Sequence, residues 1–300
     1  MNNQQRKKFF LYIFYDVEAT GLDTSSHHII SLGAVASYFQ PPKKFSDVGQ
    51  FIELDTFHEY VHTDQPITNS AIHGITTQLL FENRARTFDQ VIESFQEWIL
   101  TFDPEGIVFV AHNGRSYDDK IFYSNYLSLA NRSLPYRDWL KKCRVHGFLD
   151  SFRLLKESKD KFEKQHRICH PDNPTKISFK LGICHNAWCG YFFENAHNAL
   201  ADAQALFRIF NSKPFLKYFS IRKIQAAIWK TDKMWKFLKQ GSGKEVKMEQ
   251  DRKRKLDPVA HEPNYYTSSI AIITNHNFLC CARCITFFSQ ESQEQHQCST

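Results

Sequence analysis

The sequence predicts an α/β domain in which helices pack around one sheet. Continuous apolar runs at residues 9–18 (FFLYIFYDVE) and 106–112 (GIVFVAH) are typical of strands covered on both faces. HIISLGAVASYF at 28–39 predicts a second strand, and GQFIELDTFHEYVH at 49–62 predicts one or two more. Strands come first and then alternate with helices, which favours helices packed around a single mixed sheet.

Two helices are predicted around the strand at 106–112. Thr87 and Gln90 form a capping box, which is a signature of a helix start. The apolar residues that follow it at helical spacing are Val91, Ile92, Phe95, Trp98 and Ile99. A second helix is expected from about Tyr117 to Ala130, directly after the strand.

Positive charge is concentrated in one segment of the chain. Between Lys213 and Lys255 there are 14 Lys and Arg against 4 Asp and Glu, whereas the whole chain has a net charge of +6. Lysines recur there every three residues, with two tryptophans among them: Lys230, Lys233, Lys236 and Lys239, with Trp229 and Trp235. A helix would carry this charge along one side. The segment is typical either of a contact for a polyanion or of a solvated basic helix.

Carboxylates occur where two predicted elements begin or end. Asp16 and Glu18 lie two residues apart at the end of the first strand, so their side chains project from the same face. Asp202 shares a helical face with apolar residues, where an unpaired carboxylate would cost several kcal/mol. His197 precedes this helix and has an ordinary pKa of about 6.5, so it can accept a proton near neutral pH.

The stretch AHNGRSYDDKIF at 111–122 contains two adjacent aspartates. Helical periodicity places Asp118 on one face with Ile121 and Phe122, and Asp119 about 100° away. Asp118 is therefore expected to point inward and Asp119 to be solvated.

Four carboxylates and one histidine are the groups that a two-metal phosphodiesterase needs. Oxygen ligands suit Mg²⁺ or Mn²⁺, and His197 could take the proton of the attacking water. From these residues alone, the alternatives stay open that Asp16 and Glu18 are a common Asp-x-Glu pattern without function and that Asp202 is a satisfied core aspartate behind a helix cap.

Three motifs in order are similar to those of a known family. YDVEATGL, AHNGRSYD and HNALAD resemble the motifs of the DEDDh 3′-to-5′ exonucleases, and they are most similar to the three-prime repair exonuclease (TREX) type. IHGIT at 72–76, LDSFRLLK at 149–156 and SFKLG at 178–182 match in the expected order. The resemblance implies an RNase H-like exonuclease fold, with a mixed five-stranded sheet flanked by helices and followed here by a C-terminal extension.

The resemblance also implies a role for each matching residue. Asp16, Glu18 and Asp202 would hold a catalytic metal ion, Asp16 would bridge to a second ion held with Asp118, and His197 would be the general base. The ions would be two Mg²⁺ or Mn²⁺. The pocket for the terminal nucleotide would be lined by Ala19, Thr20, Gly21, Leu22, Ile75 and Tyr117.

The expected domain organisation has four parts. They are a DEDDh exonuclease domain at 8–212, a basic helical segment at 213–240, a flexible basic linker at 241–264 and a Cys/His-containing tail at 265–300. The tail offers four soft ligands in two pairs, Cys281, Cys284, His296 and Cys298. Such pairs suit one structural Zn²⁺ in a small module, and a poorly ordered tail with reduced thiols is the alternative.

The sequence therefore predicts a metal-dependent 3′-to-5′ exonuclease that acts on single-stranded or 3′-ended DNA. An exonuclease that trims or proofreads RNA, and a nucleic-acid-binding scaffold without catalysis, are the alternatives; a scaffold has no reason to retain clustered carboxylates. No stretch reaches 18 uncharged apolar residues, so no membrane contact is expected. Cysteine usage and RKRKL at 252–256 predict a reducing, nuclear and/or cytoplasmic location, and a homodimer is left open.

Overall fold

A mixed sheet of six strands forms the centre of the fold. The computed structural model describes residues 9–44, 47–129, 134–156, 169–170, 173–240, 270–272, 278–281 and 287–289. The strands of the central sheet are β1 (Phe10–Ala19), β2 (Ile29–Gln40), β3 (Gln50–Tyr60), β4 (Gly106–Ala111), β5 (Val145–Asp150) and, later in the chain, β8 (Trp229–Lys230). Two small sheets contain β6 (Cys169–His170) with β7 (Asn173–Ile177), and β9 (Ile270–Ile272) with β10 (Phe278–Cys281) and β11 (Phe287–Ser289).

The strand order of the central sheet is β3-β2-β1-β4-β5-β8. The strands β1, β2 and β3 are antiparallel neighbours, β1, β4 and β5 run parallel, and β8 is antiparallel to β5. Because β1, β4 and β5 point the same way, their carboxyl ends meet at one edge of the sheet.

Helices cover both faces of this sheet. They are α1 (Ser70–His73), α2 (Thr77–Glu82), α3 (Phe88–Leu100), α4 (Asp118–Ser128), α5 (Tyr136–Lys142), α6 (Ser151–Lys156), α7 (Leu181–Cys189), α8 (Ala199–Asn211), α9 (Lys213–Tyr218), α10 (Ile221–Ala226) and α11 (231–240). Among these described helices, none is both long and apolar enough to cross a bilayer.

The side chains of β1 alternate between two separate hydrophobic cores. Ile13 and Tyr15 pack with α3, α4, α5 and α11, whereas Tyr12 and Phe14 pack with α8, α9 and α10 on the other face. Burial of each large apolar side chain stabilises the fold by about 1.5–3 kcal/mol. This two-sided burial explains the uninterrupted apolar run and confirms the predicted strand.

The capping box at the start of α3 is present in the structure. The backbone N–H of Thr87 donates to the Gln90 side chain over 3.2 Å. Four of the five residues predicted at helical spacing are buried, and the fifth, Trp98, donates its indole N–H to Asp55 at 2.9 Å. Local sequence therefore determines both where this helix begins and which face it buries.

The sheet has one strand more than the five that the resemblance implies. Residues 229–230 of the basic segment pair with Gly147 and Phe148 of β5. The helix α11 that follows buries Met234 and Leu238 in the same core as β1. The extra strand was not predicted because two residues, one of them a lysine, give no apolar alternation.

Candidate active site

The carboxyl end of β1 presents two carboxylates toward α8. Asp16 and Glu18 continue the even-numbered face of β1 that packs against this helix. Gly33 of β2 pairs with Asp16, and a Cβ at Gly33 would lie 2.2 Å from the backbone nitrogen of Leu200. A glycine at this position therefore lets the first turn of α8 approach the end of β1.

The helix α8 brings Asp202 to this place. The side chain of Asn198 caps the helix by accepting from the Ala201 N–H at 3.1 Å. Asp202 Oδ2 accepts from the His197 N–H at 3.2 Å, whereas Asp202 Oδ1 is buried without a hydrogen-bond partner among the described residues. A buried acceptor of this kind is costly unless a ligand satisfies it.

The first turn of α4 contributes Asp118. This side chain is 3 % exposed, and its Oδ1 accepts from the Val17 N–H at 3.3 Å, between Asp16 and Glu18. Asn125, two turns later in α4, accepts from the Ile29 N–H at 3.0 Å and fastens the helix to β2. The predicted inward direction of Asp118 is confirmed.

Burial, with added electrostatic repulsion, raises the pKa values of the four carboxylates in this cluster. Burial raises the pKa of Glu18 to about 9, with smaller contributions from Asp202 and Asp118. Burial also raises the pKa of Asp202 to about 7 and the pKa values of Asp16 and Asp118 well above their usual range. No ion pair in the described part of the chain joins an arginine or lysine to any of the four.

The donor set of the cluster fits divalent cations. Oxygen ligands of this type are those that Mg²⁺ and Mn²⁺ prefer, and a cation would relieve both the repulsion and the unsatisfied Asp202 oxygen. Side-chain ligand atoms of Glu18, Asp202 and His197 lie within 4.8 Å of one another.

His197 lies at the mouth of the cluster in an unusual backbone conformation. Its φ of 67° is in the left-handed region, which costs a non-glycine residue of order 1–3 kcal/mol. Partial burial and the nearby Lys180 ammonium lower the pKa of the ring, which keeps it neutral. Burial lowers the pKa of His73, with a smaller contribution from the nearby His197, and the His73 ring accepts from the Ile75 N–H at 3.0 Å.

The six residues predicted to line a nucleotide pocket differ in exposure. Ala19, Thr20 and Ile75 are almost fully buried, and the Thr20 hydroxyl donates to Gln65 at 3.0 Å. By contrast, Leu22 is 76 % exposed. Tyr117 is half-buried and donates its hydroxyl to the Gly21 carbonyl at 2.8 Å. Leu22 and Tyr117 are thus the members of this set whose side chains reach solvent.

The prediction that Asp119 is solvated was wrong. Its side chain is 4 % exposed and accepts from the Tyr15 hydroxyl at 2.6 Å, and burial raises its pKa to about 7. The helix α4 buries Tyr123 and Tyr126 as well, because α5 covers the side that the periodicity argument assigned to solvent.

Sequence reasoning gave no role to Asp150, a buried carboxylate at the end of β5. Its oxygens accept from the backbone N–H groups of Asn113 at 3.1 Å, Arg115 at 3.3 Å and Arg153 at 3.4 Å. Asp150 therefore holds the loop that leads into Asp118. Its signal in the sequence was the single acidic residue that ends the apolar stretch GFLD.

The predicted zinc ligands fall mostly outside the described residues. Cys281 is the last residue of β10, whereas Cys284, His296 and Cys298 lie outside the described part of the chain, as does the linker at 241–264.

Comparisons with known proteins relate this chain to exonucleases. A family model described as RNase_T, Exonuclease, matches residues 13–170. Exonuclease DPD1, chloroplastic/mitochondrial, of Arabidopsis thaliana is 27% identical over 207 residues, which cover 68% of this chain and 56% of that protein. The chain thus spans a little more than half the length of this relative.

Solved structures with a similar fold include E. coli exonuclease I. Its complex with a dA16 oligonucleotide has a TM-score of 0.50 at 18% identity, covering 73% of this chain and 43% of that one. The zinc-bound form of its complex with single-stranded DNA has a TM-score of 0.49 at 18% identity, covering 73% and 42%. The likeness to the dA16 complex, at a TM-score of 0.50 and 18% identity, concerns the fold alone.

Proposed function

Since the chain belongs to the RNase_T exonuclease family, we propose that it is a metal-dependent 3′-to-5′ exonuclease that releases nucleoside 5′-monophosphates from DNA. One observation supports this proposal above the others. Four carboxylates from β1, α4 and α8 converge, no arginine or lysine among the described residues forms an ion pair with them, and a neutral histidine lies beside them.

The carboxylates would hold two divalent ions. Asp16, Glu18 and Asp202 would bind one ion, and Asp16 and Asp118 would bind the other. Such ions, when bound, stabilise the attacking and leaving oxygens of an in-line displacement and make a bound water more acidic. The scaffold alternative gives no reason for keeping repelling carboxylates buried at one place.

His197 would act as the general base. Its lowered pKa keeps the ring unprotonated near neutral pH, so it can accept a proton from the attacking water. The water oxygen forms a bond to the terminal phosphorus, the bond from phosphorus to the 3′ oxygen breaks, and that oxygen takes a proton from solvent. The product is a nucleoside 5′-monophosphate and a chain shortened by one nucleotide.

DNA is the proposed substrate because the three motifs are most similar to the TREX type. The purified protein would be incubated with Mg²⁺ and 5′-labelled single-stranded DNA or RNA of the same sequence. A ladder that shortens from the 3′ end, and that EDTA abolishes, is expected. Faster digestion of RNA would favour the RNA-trimming alternative, and intact substrate of both kinds would favour the scaffold.

Two histidine variants make this test specific. His197→Ala should lower the rate by about 10²–10⁴, which is the usual contribution of a general base. His62→Ala is the matched control, because His62 is a surface residue that contacts the exposed Asp64. Equal rates for the two variants would exclude His197 as the base.

A further inference from the structure

A cleft lined by cationic side chains lies between the end of β5, the strand β8 and the start of α11. We call it the β8 cleft, and its volume is about 310 Å³. Its charged and aromatic lining residues are Arg115, Arg153, Lys230, Lys233, Trp229 and Asp150. None of these residues has a role in the proposed hydrolysis.

Two of the four cations of the β8 cleft lie against one aromatic ring. The Arg115 guanidinium lies 3.5 Å from the centre of the Trp229 ring, and the Lys233 ammonium lies 4.1 Å from it. Contacts of this kind stabilise a cation over a ring by about 0.5–2 kcal/mol. Arg115 is only 6 % exposed, so its direction is fixed by packing.

The β8 cleft has a surplus of positive charge. Four cationic side chains line it, and its one acidic lining residue, Asp150, already accepts three backbone N–H groups. Arg153 is the cation nearest to that carboxylate, with its Nε 3.6 Å from Asp150 Oδ2. The Lys230 ammonium contacts the His146 ring, and an ammonium group has two further donors. Lys230 and Lys233 can therefore donate to an anion, and phosphate is one of the anions that ammonium groups bind.

Two contacts with β5 position β8 and the start of α11, which line the β8 cleft. A Cβ at Gly147 of β5 would lie 2.5 Å from the Trp229 carbonyl oxygen, so a glycine is needed for β8 to pair there. The hydroxyl of Thr231 donates to the Val145 carbonyl at 2.7 Å and fixes the start of α11.

The β8 cleft and the carboxylate cluster lie at the same edge of the sheet. Arg115 and Asp150 follow or end β4 and β5, which run parallel to β1, where Asp16 and Glu18 lie. Since β8 is the third strand from β1 and neighbouring strands are about 4.8 Å apart, the separation across the sheet is about 14 Å. A strand whose 3′ end lies at the carboxylates can cross this distance.

We propose that the β8 cleft binds a backbone phosphate of the single-stranded polynucleotide, upstream of the 3′ end that lies at the carboxylates. The proposal rests on the proposed function for the position of the 3′ end. It also gives the basic segment a specific role. Lys230 and Lys233 neutralise a phosphodiester group, while Arg115 and Trp229 form the wall of the site.

The test compares two lysine pairs with the same change of charge. The variant Lys230→Gln with Lys233→Gln removes the cleft lysines, and Lys236→Gln with Lys239→Gln is the control, because both of its lysines are exposed on α11 outside the cleft. Binding of labelled single-stranded DNA is measured by fluorescence anisotropy in EDTA. The cleft variant should bind about tenfold more weakly at low salt, and the magnitude of its log–log salt slope should fall by about 0.7, which corresponds to one lost phosphate contact. Equal affinities for the two variants would overturn the proposal.

A small substrate separates this proposal from the proposed function. The p-nitrophenyl ester of thymidine 5′-monophosphate carries the reacting phosphodiester but is too short to reach the β8 cleft. The cleft variant should hydrolyse it with wild-type kcat/KM and hydrolyse the oligonucleotide about tenfold more slowly. If the wild type hydrolyses neither substrate, the proposed function is wrong. The binding measurement in EDTA still tests the proposal about the β8 cleft, because it does not depend on hydrolysis.

Free phosphate is the other source of the same chemistry. Titration of wild type and cleft variant with inorganic phosphate distinguishes the two sources. Phosphate binding that depends on Lys230 and Lys233, together with equal oligonucleotide affinity for wild type and variant, would overturn the polynucleotide proposal.

Discussion

Two buried carboxylate sites lie at the same edge of the sheet and differ in how their oxygens are satisfied. Asp150 at the end of β5 is 2 % exposed, and three backbone N–H groups donate to it. In the four-carboxylate cluster at the end of β1, Asp118 is 3 % exposed, yet it accepts from Val17 at 3.3 Å and faces other acids. Burial alone therefore does not distinguish a structural carboxylate from a ligand.

The difference lies in the number of donors that the protein itself supplies. A carboxylate with three backbone donors has its oxygens satisfied by the protein itself. Carboxylates that raise each other's pKa are stabilised only when a proton or a cation is added. The comparison predicts that variants at Asp150 reduce stability, whereas variants of the cluster reduce activity.

The largest expected effect is on activity, at Asp118. Asp118→Asn removes one charge that would bind metal, and several kcal/mol of transition-state stabilisation correspond to a loss of about a thousandfold in kcat/KM. The metal-free protein should be as stable as wild type or more stable, because repulsion in the cluster decreases. Steady-state kinetics and thermal melts in EDTA measure the two quantities. Near-normal activity, or a large loss of stability, would contradict the assignment.

The second effect is on stability, at Asp150. Asp150→Ala leaves three backbone N–H groups without their acceptor, and the free energy of unfolding should fall by about 2–3 kcal/mol. Urea unfolding of the metal-free protein provides the measurement, with Asp55→Ala as a control at a surface carboxylate that accepts from Trp98. An unchanged midpoint for Asp150→Ala would show that this carboxylate is not structural.

The third effect is a dependence of stability on pH. The folded pKa of Glu18 is about 9 and that of Asp202 about 7, both above the ordinary values of 4.5 and 3.8, so the folded state holds protons that the unfolded state releases. Stability of the metal-free protein should therefore fall as pH rises from about 5 to 9, and no loss from these groups is expected below pH 4. The melting temperature in EDTA should decrease by about 3 °C or more across this window.

Mg²⁺ and one variant sharpen the pH experiment. Bound cations compensate the same charges, so the decrease should be smaller when Mg²⁺ is present. Glu18→Gln in EDTA should flatten the curve, because the carboxyl group whose pKa is raised to about 9 no longer titrates. A melting temperature that rises with pH in EDTA would contradict the predicted repulsion.

The sequence predicted those elements whose signal is local. The apolar runs predicted β1 and β4, and the capping box predicted α3. The strand β8 could not be predicted, because its two residues pair with β5 only when Gly147 leaves room and α11 packs on the core. Its existence depends on tertiary contacts between distant parts of the chain.

The candidate site shows the same division. Asp16 and Glu18 were placed on one face by the two-residue period of a strand, and Asp118 by helical periodicity. The same periodicity failed for Asp119, because it assumes that one side of a helix is exposed. Here α5 covers that side, which a single-helix pattern does not report.

The smallest expected effect is on stability, at the hydrogen bond between the Tyr15 hydroxyl and the buried Asp119 carboxylate. The Tyr15 hydroxyl donates to the Asp119 carboxylate at 2.6 Å. Tyr15→Phe should cost about 1 kcal/mol of unfolding free energy, because a buried carboxyl loses that donor. Asp119→Asn retains an acceptor for Tyr15 and should cost less, and it should leave kcat/KM within about threefold of wild type if Asp118 is the ligand. If Asp119→Asn loses activity and Asp118→Asn keeps it, then Asp119 and not Asp118 is the metal ligand. Oligonucleotide kinetics measures the activity of both variants, and urea unfolding measures their stability.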